Sequence, residues 1–295
     1  MSLLQYPVLK KMRVVPLSGT YRRAFFLLMV YSLLLVATTV ILFPIFWMAS
    51  SSLKPSGELF ARDLTMLPIH WTLENYQNVW VNTKFPIYFW NSFKVAALST
   101  ICSVLIAMYA AYAIARIEFV GRYTYGLVLL ITQMFPHILL VIPLYLLIQR
   151  MSMLNSHFAL FLAYTAFSLP FTVWLLRGFF EAIPAELEEA AEIDGASMLT
   201  TFHKIILPLA GPGLAAVTMF SFIRAWNEFL FALVFLSSRE LFTMPIGLAS
   251  FQEEFTFRWD LIMAGAGIIT LPVLLLFLLM QRFIVQGLLG GALKG

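Results

Sequence analysis

The sequence has 295 residues, of which 61% are hydrophobic and only 12% are charged, and its mean hydropathy is +0.88. A soluble globular domain carries charge on about a quarter of its residues, so a soluble protein is excluded and an all-α integral membrane protein is predicted. The net charge of +4 gives no reason to propose nucleic-acid binding, because basic residues at the cytoplasmic ends of membrane helices account for it.

Six apolar runs are each long enough to cross a bilayer as a helix, because a hydrocarbon core about 30 Å thick needs roughly 20 residues. They lie near residues 24–48, 92–115, 124–148, 158–177, 212–236 and 261–281. The first run follows basic residues and precedes small residues at 49–51, as a signal peptide would. It is longer than the roughly 7–15 apolar residues of a signal peptide, and is therefore predicted to be a retained helix.

The distribution of Lys and Arg predicts the orientation of these helices. Basic residues are more numerous in four segments than in the segments between them: 1–23, 116–123, 178–211 and 282–295. These four segments are therefore predicted to be cytoplasmic, which places both termini inside. The chain is predicted to have a cytoplasmic N-terminal segment, 1–23, and a single transmembrane domain, 24–295, which ends in the tail 282–295.

The segment 49–91, between the first two predicted helices, is expected on the outer side. Pro55, Gly57, Pro68 and Pro86 interrupt it, and its charges are of both signs. It is long enough to form a small lid or a docking surface.

The segment 178–211, between the fourth and fifth predicted helices, has the pattern of a helix-turn-helix. Pro184 suits a first helical turn, and three glutamates follow it where the positive end of a helix favours carboxylates. Gly195 can adopt the left-handed conformation that ends a helix. Apolar residues three and four positions apart follow until Pro208 ends the pattern. Two short helices joined at a glycine are predicted, a surface better suited to docking than to catalysis.

This segment resembles the EAA cytoplasmic loop of ABC-importer permeases. Every fixed position of that motif is present, namely Glu189, Ala190, Ala191, Gly195, Ile205, Leu207 and Pro208. Four other stretches resemble the carbohydrate branch of the family, the maltose-type second permease subunit: HWTLENYQNVW at 70–80, WNSFKVA at 90–96, YAIARIEFVGR at 112–122 and GLLGGALKG at 287–295.

The resemblance implies a six-helix core that works with a second, related permease, a pair of cytoplasmic ATPase subunits and an external solute-binding protein. The seven motif residues would dock on the ATPase, whose closure would move the loop as a lever and switch the helices between inward-facing and outward-facing arrangements. The sequence has no G-x-x-x-x-G-K-[ST] phosphate loop. ATP and Mg²⁺ are therefore expected on partner subunits, and this chain is expected to be no enzyme and to bind no cofactor or metal. A hairpin lying on lipid is the alternative interpretation of the loop.

Polar residues inside the predicted helices are candidates for the substrate path, because a charge at membrane depth is costly and usually faces a cavity or a partner. Arg224, Asn227 and Glu228 share one face of the fifth helix by their i, i+3, i+4 spacing. Gln133 and His137 lie one turn apart on the third helix. An Arg224–Glu228 pair, or a contact with the partner permease, is the structural alternative.

Prolines are expected to loosen two of the predicted helices. Pro136 and Pro143 are expected to loosen the third helix and Pro170 the fourth, because proline removes a backbone donor. Lys94 lies near the outer end of the second helix, where its side chain can reach the interface, and no substrate role is predicted for it.

Two other functions are considered. An intramembrane protease is disfavoured, because EEAAE has no arginine shortly downstream and no H-E-x-x-H occurs. A stand-alone secondary transporter could use Glu228 for ion coupling, but it would often show two related halves, and no repeat is evident. The sugar is left open, since maltose, trehalose, other oligosaccharides and glycerol phosphate-like solutes all fit.

Overall fold

A computed structural model describes residues 20–61, 63, 65–252 and 258–292. Residues 1–19 of the predicted N-terminal segment and 293–295 of the predicted tail lie outside the described residues. Every regular element in the described part is helical, which confirms the all-α prediction.

The described residues form fourteen α-helices along the chain. They are α1 (Thr20–Ser52), α2 (Ser56–Leu59), α3 (Glu74–Val81), α4 (Phe85–Arg116), α5 (Arg122–Met134), α6 (Val141–Arg150), α7 (His157–Ala182), α8 (Glu186–Ile193), α9 (Met198–Thr201), α10 (Leu207–Leu209), α11 (Gly211–Trp226), α12 (Leu230–Phe235), α13 (Met244–Ala249) and α14 (Trp259–Ala292). Short 3₁₀ turns lie at His137–Leu140 and Arg239–Leu241, and a π turn lies at Phe202–Ile206.

Four helices, α1, α4, α7 and α14, are long and apolar enough to cross a membrane. They confirm four of the predicted runs: 24–48, 92–115, 158–177 and 261–281. Two bent helix pairs bring the number of spans in the described part to at most six.

The third predicted helix, 124–148, is broken. α5 ends at Met134, Phe135 is extended with φ −78° and ψ 126°, and the helical segment that begins at His137 is bent by 92° from α5. Proline disfavours helical geometry in the residue before it, so Pro136 ends α5. Pro143 lies in the first turn of α6, whereas α7 continues through Pro170, where loosening was expected.

The fifth predicted helix, 212–236, is also two helices. α11 ends at Trp226 and α12 begins at Leu230. The carboxylate of Glu228 accepts hydrogen bonds from the backbone N–H groups of Phe231 and Ala232, at 2.9 and 3.1 Å. These bonds start a new helix where a continuous one was predicted. At its other end, α11 is bent by 75° from the segment Met198–Leu209.

The centre of the bundle is the contact of α4 with α7 and α11. α4 carries small buried residues about one turn apart: Ser92, Ala96, Ser99, Ser103, Ala107 and Ala111. Small side chains let membrane helices approach closely, and dispersion contacts then stabilise the pair. By contrast, the apolar window of α1 has no buried residue, so that surface is open to lipid or to another subunit.

The segment 49–91, expected to be a lid or docking surface, is folded against the bundle. Lys54 is only 1% exposed; its ammonium donates to the carbonyl of Thr65 and lies 5.0 Å from the ring centroid of Trp47. The side-chain amide of Asn75 donates to the carbonyls of Ser52 and Lys54, at 2.9 and 2.7 Å. These buried polar contacts fix the end of α1 to α3.

Candidate functional site

The segment predicted as a helix-turn-helix folds as a hairpin, which we call the hairpin 186–209. Gly195 has φ +80°, its N–H donates to the carbonyl of Glu192, and the N–H of Ala196 donates to the carbonyl of Ala191, both at 2.9 Å. This pair of bonds is the glycine-dependent Schellman termination of a helix. α8 begins at Glu186, so Pro184, expected inside the first turn, lies just before the helix.

An ion pair attaches the first half of the hairpin to the end of α4. The Arg116 Nε lies 2.6 Å from the Glu188 Oε1, and Arg116 also donates to the carbonyl of Ile183 at 2.6 Å. The hydroxyl of Tyr112 donates to the other carboxylate oxygen of Glu188 at 2.8 Å. The ion pair is largely shielded from solvent, with side-chain exposures of 17% for Arg116 and 19% for Glu188. The ion pair and the charge-assisted hydrogen bond from Tyr112 together hold α8 in a defined position relative to α4.

Aromatic packing attaches the second half of the hairpin. Phe202 is 1% exposed, and its ring centroid lies 4.6 Å from that of Tyr112 on α4 and 6.0 Å from that of Phe180 on α7. The second half of the hairpin is therefore packed against both α4 and α7, and it does not lie on lipid alone.

The seven predicted docking residues differ in their exposure to solvent. Glu189, Ala190, Gly195 and Pro208 are exposed, Ile205 and Leu207 are half-buried, and Ala191 is buried. Ala191, unlike its neighbour Ala190, therefore faces the protein, where its small side chain lets α8 pack closely.

The exposed surface of the hairpin has apolar side chains that the motif did not indicate. Ile193, at the turn, is 87% exposed, and Met198 and Leu199 are also exposed. Next to them is a groove of about 510 Å³, with Glu189 and Glu192 among its lining residues. Exposed apolar residues beside an acidic groove are typical of a protein interface.

A second candidate site is a cavity of about 240 Å³ between the broken helices and α7. We call it the central cavity; its lining residues are His137, Tyr164, Phe167, Ser168, Arg224, Ala225, Glu228, Leu230 and Phe231. Three of the five predicted substrate-path residues, His137, Arg224 and Glu228, therefore come together. Tyr164 and Ser168 were not among the predicted residues, although both are polar and lie within the fourth predicted helix.

The other two predicted residues are elsewhere. Gln133 lines a separate, mainly apolar groove of about 510 Å³ that shares Phe167 with the central cavity. Asn227 is exposed, and its side-chain amide donates to the carbonyl of Ile223 at 3.0 Å. The expected common helix face of Arg224, Asn227 and Glu228 is wrong, because α11 ends before the last two residues.

The hydrogen bonds of Glu228 are made within the protein. Its carboxylate accepts from the hydroxyl of Tyr164 at 2.6 Å, in addition to the two backbone donors of α12. Among the described residues, Glu228 forms no ion pair with Arg224, so the structural pairing considered above is not observed. Glu228 thus fixes α12 at the edge of the cavity.

The far end of α12 is held by Asn155, which has φ +56°. Its backbone N–H donates to the carbonyl of Phe235 at 2.7 Å, and its side-chain oxygen accepts from the N–H groups of Ser237 and Ser238, at 3.1 and 3.0 Å. With Glu228 at one end and Asn155 at the other, the wall of the cavity formed by α12 is positioned at both ends. Within the residues searched, no group of three His, Cys, Asp or Glu side chains could hold a metal ion.

Comparison with known proteins identifies the family. Residues 103–290 match the family model described as "binding-protein-dependent transport system inner membrane component". The chain is 38% identical over 255 residues to the diacetylchitobiose uptake system permease protein DasC of Streptomyces coelicolor. The aligned region covers 86% of this chain and 92% of DasC. It is 39% identical over 254 residues to the sulfoquinovosyl glycerol transport system permease protein SmoH of Agrobacterium fabrum, with 86% and 89% covered.

Two further similarities agree with this result. The trehalose/maltose transport system permease protein MalG of Thermococcus litoralis is 41% identical over 264 residues, with 87% of this chain and 92% of MalG covered. A chain of a solved bacterial ABC transporter involved in the import of the acidic polysaccharide alginate superposes with a TM-score of 0.77 at 25% identity, with 91% of this chain and 99% of that chain covered. The family predicted from the hairpin motif is thereby confirmed: the chain belongs to the binding-protein-dependent transport system inner membrane components, as a sugar ABC transporter permease.

Proposed function

We propose that this chain is one of two related permease subunits in an ATP-driven importer of a sugar or oligosaccharide. It crosses the membrane six times with both termini in the cytoplasm and forms half of the translocation path. An external solute-binding protein delivers the sugar, and a pair of ATPase subunits holds and hydrolyses ATP with Mg²⁺. The chain itself binds no cofactor and alternates between inward-facing and outward-facing arrangements.

The observation that carries this proposal is the attachment of the hairpin 186–209 to α4 and α7. Arg116 and Tyr112 hold Glu188, and Phe202 is buried among aromatic rings of both long helices. Contacts that are this well packed transmit displacement rather than absorb it. A push on the exposed residues Glu189, Ala190 and Ile193 by an ATPase subunit would therefore move two membrane helices.

The central cavity supports the proposed path for the sugar. It lies where two predicted spans are broken, and discontinuous membrane helices often form transporter binding sites. Its polar residues, with Phe167 and Phe231 stacked at a centroid distance of 5.0 Å, offer both hydrogen-bonding groups and an aromatic surface. The names of the relatives, which include diacetylchitobiose, trehalose/maltose and sulfoquinovosyl glycerol systems, support a sugar as the substrate class.

A stand-alone secondary transporter is not favoured. Its coupling carboxylate would have to release and bind an ion, yet Glu228 is engaged by three hydrogen bonds that position α12. The hairpin and its attachment to α4 would also have no role in such a protein.

The orientation can be tested with single cysteines, because Cys102 is the only cysteine in the sequence. In a Cys102→Ser background, Asp63→Cys and Ser237→Cys are expected to react with a membrane-impermeant maleimide in intact cells. Glu118→Cys and Asp194→Cys are expected to react only after lysis. Labelling of Asp194→Cys in intact cells would contradict the proposed cytoplasmic hairpin.

The coupling role is tested by ATP hydrolysis in the complete reconstituted complex. Glu189→Lys reverses an exposed charge of the hairpin and is expected to abolish sugar-stimulated hydrolysis and uptake, with insertion and assembly of the permease pair retained. Glu118→Lys makes the same change on an exposed residue of the α4–α5 loop, outside the hairpin, and is expected to retain both activities. Equal transport by wild type and Glu189→Lys would refute the proposal.

A further inference from the structure

Arg224 is a cation of the central cavity and forms no ion pair with any residue that the structure describes. In the part of the protein that the structure describes, its guanidinium makes no hydrogen bond or ion pair; its one specific contact is with the ring of Phe171, whose centroid lies 5.9 Å from the Arg224 Cζ. A guanidinium has five N–H donors. A charge on a membrane-spanning helix normally faces a cavity or a partner of opposite charge. Arg224 is exposed in the isolated chain and lines the cavity.

The nearby carboxylate does not neutralise this cation directly. Glu228 accepts hydrogen bonds from Tyr164, Phe231 and Ala232, which occupy both of its oxygens. Breaking these bonds to reach Arg224 would release α12 from its N-terminal anchor. The cavity therefore presents donors from Arg224, while both oxygens of Glu228 accept hydrogen bonds from Tyr164 and α12.

Two other lining residues have unused hydrogen-bonding capacity. Among the described residues, the ring nitrogens of His137 and the hydroxyl of Ser168 have no hydrogen-bond partner, and the ring of His137 lies 4.8 Å from that of Phe167. These groups suit the hydroxyls and the apolar face of a sugar ring. They do not distinguish a neutral sugar from an anionic one, whereas Arg224 does.

We propose that the transported solute is a sugar that carries an anionic group, a carboxylate or a sulfonate, which pairs with Arg224 in the central cavity. A planar guanidinium can donate two parallel hydrogen bonds to the oxygens of such a group, and this pairing is stronger than hydrogen bonds to neutral hydroxyls. The inference rests on the proposed function and adds the charge of the substrate to it.

The test uses the complete complex in proteoliposomes and matched sugar pairs: cellobiose with cellobiouronic acid, and galactobiose with digalacturonic acid. For each pair we measure the ratio of acidic to neutral sugar in stimulated ATP hydrolysis. In wild type the acidic member is expected to stimulate more strongly. Arg224→Gln is expected to lower the ratio by about tenfold or more, as loss of a charged hydrogen bond would. Arg224→Lys keeps the charge but not the paired N–H donors, so it is expected to restore only part of the ratio. The same binding protein is present throughout, so the change in ratio reports on the permease.

The control removes another cation from a membrane-spanning helix. Lys94 is exposed on α4 and lines a different, apolar groove, so Lys94→Gln is expected to leave the ratio unchanged. Two results would overturn the inference and leave the importer function intact. One is stimulation of ATP hydrolysis by the neutral sugars alone. The other is an equal loss of stimulation by the acidic and the neutral sugar in Arg224→Gln. Failure of Arg224→Gln to assemble with the second permease, with recovery in Arg224→Lys, would also overturn it by assigning the charge to a subunit contact. No stimulation by any sugar would refute the proposed function itself.

Discussion

The guanidinium of Arg116 and the carboxylate of Glu188 form an ion pair, with 2.6 Å between Nε and Oε1, that joins the end of α4 to the first helix of the hairpin 186–209. The two residues are 72 positions apart in the sequence, on opposite sides of α5, α6 and α7. Because the pair is largely shielded from solvent, removal of either partner leaves a poorly solvated charge and costs more than at an exposed surface pair.

Arg116→Gln and Glu188→Gln are each expected to lower the free energy of unfolding by about 1–3 kcal/mol, because each leaves a shielded charge without its partner. Thermal unfolding of the permease pair in detergent measures this loss. The control is Arg177→Gln, which breaks the more exposed pair of Arg177 with Glu181, whose loss is expected to cost at most about 0.5 kcal/mol. The same loss from both pairs would show that shielding has no effect at Arg116.

Gly195→Ala is expected to destabilise the hairpin by about 1–2 kcal/mol, because a side chain disfavours the left-handed backbone at φ +80°. Sugar-stimulated ATP hydrolysis should fall with it, since the two hairpin helices would no longer meet at the same angle. Gly178→Ala is the matched control: Gly178 lies inside α7, and an added Cβ there meets nothing within 4 Å. Gly178→Ala is expected to be neutral or stabilising. A Gly195→Ala protein with wild-type stability and wild-type sugar-stimulated ATP hydrolysis would contradict the prediction.

Tyr164→Phe should lower the free energy of unfolding less than Glu228→Ala does. Tyr164→Phe removes one donor from the carboxylate and is expected to cost about 0.5–1.5 kcal/mol. Glu228→Ala removes all three hydrogen bonds and the anchor of α12, so it should cost more and should also lower uptake. Unfolding and uptake assays on both variants test this order, and a milder effect of Glu228→Ala would be inconsistent with the anchoring role.

The stability of segment 49–91 in acid is expected to depend on Glu58, whose carboxylate accepts hydrogen bonds from the N–H groups of Ile69 and His70. The hydrogen bond from the N–H of Ile69 is the largest cause that lowers the pKa of Glu58 below its ordinary value of 4.5. A carboxyl whose pKa is lowered in the folded state stabilises that state above its unfolded pKa, and the stabilisation is lost as the pH falls through the folded pKa. The difference in unfolding temperature between wild type and Glu58→Gln should therefore be largest near neutral pH and decrease with acidification below about 4.5. A difference that does not change with pH would exclude this linkage.

The broken helices show where sequence patterns were insufficient. The runs 124–148 and 212–236 are apolar throughout, and length and hydropathy predict one span for each. Pro136 indicated a weak point in the third predicted helix. The angle of the resulting bend, 92°, could not be predicted from the sequence. The break before α12 depends on Glu228, whose carboxylate accepts hydrogen bonds from the first turn of that helix. Glu228 was predicted to lie on a helix face, because no local sequence pattern indicates these bonds.

The candidate site was predicted in part. The hairpin motif gave the family and the turn at Gly195, because local backbone requirements are written in neighbouring residues. Its attachment through Arg116 was missed, although Tyr112 and Arg116 lie four residues apart on one helix face beside a predicted cytoplasmic loop. That spacing could have marked both residues as candidates for a contact with the loop.

Composition and periodicity by themselves determined that this is an all-helical membrane protein. The length of an apolar run decides whether that segment enters the membrane. Inside the membrane, the backbone must satisfy its own hydrogen bonds, which a helix does. The tertiary structure decided which polar residues meet. It brought His137, Arg224 and Glu228 to one cavity and separated Gln133 and Asn227 from them. Contacts between residues far apart in sequence depend on helix breaks and packing, and these are set by the whole bundle rather than by any one stretch of it.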